Sequence, residues 1–252
     1  GIAYVVIEDL PLGAFGNRVP QFTFEVTRPS ASDAPMEHRD IAHLVNGVAL
    51  MPGTGEYALA TSKALIERGF GDYLAINENS ASGESDLDTS LDALEVALPS
   101  AKSVSLIVSW FGDDLRCGHC NVQPKVEQST SEAIDMPWSV AGLTRDAAGL
   151  VPLDEGRPVY GGTPSDASVI EAIAALKSRG MKPMFYPFIL MEQMSGNALL
   201  DPWTGEDGQP NLPWRGRITT SLAPVMDGTT DGTALASQEV AAFFGMAEPS
   251  DF

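Results

Sequence analysis

The chain has 252 residues, enough for one large domain or two modest ones, with 44% hydrophobic and 19% charged residues, as in an ordinary folded protein. Thirty-four acidic against fifteen basic residues leave a net charge of −19, which repels phosphate backbones and argues against nucleic-acid binding through a basic surface. No apolar run reaches the roughly 18 residues of a membrane span, and the opening GIAYVVIEDL lacks both Met and a basic-then-apolar leader, so it reads as the interior of a longer or processed polypeptide.

Residues 1–28 carry two strand-like runs, 4–7 and 21–27. In the second, Phe22, Phe24 and Val26 alternate with Thr23 and Glu25, the period of a half-buried strand. The turn-forming PLGAFGN lies between them, so this region is predicted to be a β-hairpin or β-arm. Residues 29–85 read as a linker and connecting segment. A polar stretch comes first, then a short apolar run at 41–51, the breakers PGTGE, and the loop-like NENSASGESD.

From residue 86 the pattern is α/β. Asp88 or Thr89 is positioned to cap a helix bearing Leu91, Leu94 and Leu98, which Pro99 ends, and a strand is predicted over 103–110. A loop-rich segment follows over 112–164. Pro164 and Ser165 then start a second helix with Ile170, Ile173 and Ala174 on its apolar face, and Arg179-Gly180 stops it. KPMFYPFIL (182–190) reads as a strand whose prolines must lie at its start or where pairing lapses. A long loop (192–233) leads to a last helix from about Ala234 to Phe244. Two αβ units followed by a helix imply a parallel sheet with crossover connections, interrupted before a third strand.

The strand-to-loop stretch SVSLIVSWFGDDLRCGHC (103–120) carries the first candidate groups. Asp113 and Asp114 suit general acid/base work or a divalent metal, or else form a turn with Arg116 as ion partner. Cys117, His119 and Cys120 offer thiolate and imidazole ligands for a metal, or a redox pair, or reduced or locally bridged structural cysteines; a closed zinc site needs a fourth ligand. Glu192, at the end of the second strand, is the best isolated carboxylate. Paired with Asp113 or Asp114 it would meet the two-carboxyl requirement of a glycoside hydrolase, at roughly 5–9.5 Å separation. Trp110, Phe111, Trp203 and Trp214 are aromatic groups able to stack on sugars. Arg215 and Arg217 in PWRGRIT are able to hold a carboxylate or phosphate, or to form structural ion pairs. The segment 161–166 (GGTPSD) precedes a helix and is able to bind an anion, but no GxGxxG, GxxxxGK[ST] or GxSxG pattern exists, so no cofactor is expected.

In order along the chain, EDLPLGAFGNRVPQFTFEV, SVSLIVSWFGDDLRCGHC, RPVYGGTPSDASVI, KPMFYPFILM and PWRGRIT resemble one family. It is the megatron or host-specificity baseplate protein at the tail tip of gene transfer agents and related siphophages, which contains a glycoside-hydrolase-like TIM-barrel domain. The resemblance implies a β-arm (1–28) joining the baseplate hub, and the opening portion of a TIM-barrel-like domain over 86–252. The fold class is therefore α/β, with incomplete TIM-barrel-like βα units after a β-rich arm. It implies hub and distal tail proteins as partners, a homotrimer, location in the virion tail tip, and a host cell-surface glycan as ligand. The family's glycosidase-type glutamate falls in a Gly-Ser-Glu segment beyond Phe252, so structural and attachment roles are expected ahead of hydrolysis.

Overall fold

The computed structural model describes Val6, residues 41–51 and residues 55–246. The predicted β-arm and the first part of the linker, including His38, lie outside the described residues apart from Val6. The chain divides into two compact units, Gly1–Asp40 and Ile41–Phe252, and the second is described below.

A helical turn, α1 (Ile41–Leu44), leads into β1 (Gly47–Leu50). The antiparallel hairpin of β2 (Leu65–Gly69) and β3 (Asp72–Ala75) follows, then α2 (Asp86–Ala97) and β4 (Ser103–Gly112). Next, β5 (Val122–Gln123) folds back antiparallel on the end of β4. The excursion after it holds β6 (Lys125–Val126), β7 (Ser139–Val140), β8 (Leu143–Thr144), β9 (Gly149–Leu150), β10 (Leu153–Asp154) and β11 (Arg157–Pro158). These pair as β6 with β9, β7 with β8, and β10 with β11. Then come α3 (Asp166–Ser178), β12 (Lys182–Met191) and α4 (Ala234–Phe244).

The central sheet has the order β1–β4–β12, all parallel, with Gly47 and Lys182 both opposite Ser103. The α/β class is what the sequence predicted. Among the described residues no barrel closes. The parallel sheet also starts earlier than predicted, because β1 comes from within the segment read as connecting (29–85). A four-residue strand carries too little alternation to stand out from a short apolar run.

One face of the sheet is covered by α2 and α3. Val104, Leu106 and Val108 alternate towards the helices and pack with Leu87, Leu91, Val169, Ala172, Leu176 and Met181. Complete burial of each such side chain contributes roughly 1.5–3 kcal/mol, so this layer fixes the strand register: a one-residue slip would turn the apolar row outward. The cap of α2 is Ser85, not Asp88 or Thr89; its Oγ accepts from the Asp88 N–H at 3.1 Å, and Leu98 forms the C-cap rather than part of the apolar face. In α3 the Ser165 cap and the Arg179-Gly180 stop are as predicted. Its buried stripe is Val169, Ala172 and Leu176, however, while Ile170 and Ala174 face solvent and Ile173 is half-buried. Gly180, at φ +75°, ends the helix with Gly180 N–H donating to Lys177 and Met181 N–H to Leu176, so two orphan carbonyls are satisfied.

β12 pairs with β4 without a break, although it contains Pro183 and Pro187. Lys182 and Glu192 donate to Lys102 and Gly112 on the β4 side, so even-numbered amides point inward and odd-numbered ones outward. Both prolines are odd-numbered. Their missing donors point away from β4, towards an edge that no described strand pairs, and cost the ladder nothing.

The stretch read as loop-rich (112–164) builds a second core together with residues 57–64. Trp138 is buried with Tyr57, Ala60, Ala64, Val126, Ala133, Met136 and Val140, and its indole N–H donates to the Thr163 carbonyl at 2.8 Å. Among the described residues no helix is long and apolar enough to cross a membrane.

Candidate functional site

At the C-terminal end of β4, Asp113 and Asp114 are both occupied. Asp113 accepts from the Asn121 backbone N–H at 2.7 Å and its side-chain amide at 3.1 Å. Asp114 is buried, and accepts from Arg116 through Nε at 3.0 Å, Nη2 at 2.6 Å and the backbone N–H at 2.8 Å, and from Gln209 at 2.8 Å. Burial pushes the Asp114 carboxyl up, but these bonds outweigh it and hold the group below the ordinary carboxylate range. Arg116 is thus the ion partner that the turn reading of Asp114 calls for.

Cys117 and Cys120 are free and buried. Cys120 packs with Leu115 and Met191. Burial raises its thiol to about 11, and burial followed by Glu239 raises that of Cys117. Burial thus works against the thiolate form that a nucleophilic cysteine needs. Backbone bonds from His119 and Cys120 to the Arg116 carbonyl (2.9 and 3.0 Å) shape this stretch as a turn. Among the described residues no group of three or more His, Cys, Asp or Glu side chains is arranged to hold a metal ion.

Glu192, just beyond β12, forms an ion pair with Lys125 of β6; the contact lacks hydrogen-bond geometry. Both side chains are largely buried. Glu192 therefore has a cationic partner, as Asp114 does, and Asp113 has a backbone one. Glu192 lies beside the end of β4, its N–H donating to the Gly112 carbonyl at 3.0 Å, one residue before Asp113.

The charged cluster nearest a cavity was not singled out in the sequence. Buried Arg145 pairs with buried Glu56, and also donates to Glu132, to the Gln128 carbonyl at 2.8 Å and to the Tyr57 hydroxyl at 3.1 Å. Glu56 accepts from the Glu127 backbone N–H at 2.8 Å. Glu127 in turn accepts from the Gly162 N–H at 2.9 Å. Burial, followed in the same direction by the Glu56 charge, outweighs that bond and holds the Glu127 carboxyl above its usual range. Segment 161–166 has no free amides for an anion at these positions: Gly162 serves Glu127, Thr163 serves the Lys125 carbonyl, and Ser165 serves the Glu56 carbonyl. Gly162 is also the close-approach point, where a Cβ would lie 2.8 Å from Glu56 Cγ and 3.0 Å from the Lys125 carbonyl.

Glu127 lines two cavities. One, of about 530 Å³, also has Glu56, Tyr57 and Asn77 in its wall. The other, of about 470 Å³, lies on the face of the sheet away from α2 and α3, against Ile107, Ser109, Phe188 and Leu190, with Tyr160 and Glu127 completing the wall. It combines apolar and aromatic surface with one carboxyl, as small-molecule sites commonly combine apolar walls with a few polar groups. Sequence reading missed Glu127, Glu56, Lys125 and Arg145 because nothing in their local pattern distinguishes a buried charge from a solvated one. No protein-family model and no curated protein sequence matches this chain.

Proposed function

We propose that this chain is a structural component of a phage-like or gene-transfer-agent tail tip that acts in host attachment, and that the 470 Å³ cavity receives a host cell-surface glycan. The observation that carries the ligand assignment is the cavity on the face of the parallel sheet opposite α2 and α3. Ring and aliphatic surfaces of Tyr160, Phe188, Ile107 and Leu190 suit the C–H faces of sugars, and Glu127 suits their hydroxyls. The five ordered motifs support the tail-tip assignment, with a TIM-barrel-like fold for the full domain, a homotrimer, and hub and distal tail proteins as partners. The test is attachment of the purified chain to host cells and its displacement by purified host polysaccharide, with the oligomeric state read by light scattering. Failure to bind, or binding undisturbed by the polysaccharide, defeats the attachment reading or the glycan assignment respectively.

A second reading, hydrolysis of envelope polysaccharide, is favoured by one observation: the raised Glu127 carboxyl in the cavity wall has the character of a general acid. Release of reducing sugar that disappears in Glu127→Gln supports it. Release unchanged in that variant removes Glu127 from the chemistry.

A further inference from the structure

Arg215 and Arg217 are equivalent in sequence, and the structure separates them. Arg217 pairs with Asp201 at 3.7 Å and lies 5.7 Å from the Trp203 ring centroid. Arg215 sits in the turn Arg215–Arg217, packed against β12, with its guanidinium 3.8 Å from the centroid of the Phe188 ring. Its side chain has no carboxylate and no hydrogen-bond partner among the described residues. In a chain of net charge −19, a half-buried arginine left without an acid has its donors available. Stacking on an aromatic face positions the guanidinium without using any of its N–H groups.

Phe188 is a wall of the 470 Å³ cavity; Arg215 does not itself line it, but its guanidinium lies on the ring of a residue that does. The preceding residue adds an independent feature. The Trp214 indole is 68% exposed and folded over Gly216, where a Cβ would fall 2.4 Å from the ring. Only glycine permits that approach, and it leaves a broad aromatic face open to solvent next to Arg215 in the chain.

We propose that Arg215 is the anion-recognising residue of this cavity, and that the glycan bound there bears a carboxylate, as hexuronic and sialic acids do. The inference rests on the glycan-binding reading above. A planar guanidinium binds a carboxylate through two parallel N–H···O bonds, which gives orientation as well as affinity. The apolar remainder of the wall, with Tyr160 and Leu190, suits a ring attached to that carboxylate better than a bare inorganic anion. Glu127 is the acidic group of the same cavity.

The test is calorimetric titration of the full 252-residue chain with digalacturonate and with sialyllactose, each compared with its methyl ester, which keeps the rings and removes the charge. The acids are expected to bind about tenfold more tightly than their esters, the size of one charge-assisted interaction. Arg215→Ala should abolish that preference while leaving ester affinity within about twofold, and Arg215→Lys should retain part of it. Unchanged thermal melting verifies that the variants are folded. Equal binding of acids and esters, or a preference that survives Arg215→Ala, overturns the inference while the glycan reading stands. Binding of neither class of probe, with host attachment still displaced by host polysaccharide, also overturns this inference alone. Loss of that displacement is what defeats the parent reading.

Discussion

Arg145→Met tests whether the buried charge network holds the excursion between β4 and α3 together. The substitution keeps much of the side-chain volume but removes the donors to Glu56, Glu132, Tyr57 and the Gln128 carbonyl. Glu56, with 6% of its side chain exposed, would keep only the Glu127 N–H as a hydrogen-bond donor among those described. Leaving one partner of a buried pair uncompensated costs about 3–5 kcal/mol. The Glu132 contact adds little, since that side chain is 38% exposed and screened by solvent. For a unit of this size each kcal/mol lowers the melting temperature by about 2–4 °C, so a fall of roughly 6–20 °C is expected by calorimetry or circular dichroism. Adding Glu56→Gln to Arg145→Met should recover part of the loss, because the stranded charge is then gone. A loss below about 1 kcal/mol for Arg145→Met would mean that the pair behaves like a surface salt bridge, and the assignment of a buried organising role would be wrong.

Asp114→Asn should destabilise the chain at neutral pH by about 1.5–3 kcal/mol through its weakened bonds to Arg116, and flatten the acid limb of its stability curve. The native carboxyl lies below its unfolded value of about 3.9, so its contribution is complete above that pH and lost as pH falls through the folded value; melts from pH 7 to pH 3 read this directly. Gly162→Ala should cost about 1–3 kcal/mol in chemical denaturation, because its Cβ meets Glu56 Cγ at 2.8 Å. A neutral result would show that the Glu56 side chain yields freely. Cys117 and Cys120 should react with iodoacetamide at pH 8 about a hundredfold more slowly in the folded protein than in denaturant, since burial raises both thiols. Rapid native labelling would contradict their placement.

The regular elements were legible where period and punctuation agreed. β4 follows from the run of β-branched and aromatic residues Val104, Leu106, Ile107, Val108 and Trp110, and α3 from the Ser165 cap and the Gly180 stop. The phase of α3 was not legible. Ile170 is as apolar as Val169, and only docking on the sheet determines which one is buried. Nor was the cap of α2, since Ser85, Asp88 and Thr89 are all competent caps and lie within one turn. Of the candidate groups, Asp113, Asp114 and Glu192 were found by strand-end position. The structure gives each a partner that strand-end position does not reveal: Asn121 for Asp113, Arg116 for Asp114 and Lys125 for Glu192.

By itself the sequence determined an acidic α/β chain with two helix–strand units and polar excursions at the strand ends, because hydrophobic period, caps and charge count are local properties. Tertiary structure alone decided which charges are buried, that half-buried Arg215 has no acidic partner among the described residues, and where a cavity opens. These depend on groups far apart in sequence: Glu56 meets Arg145 across 89 residues, and Arg215 reaches Phe188 from the far side of a long loop. Whether a charge is solvated or paired is set by what packs against it, and no local pattern carries that information.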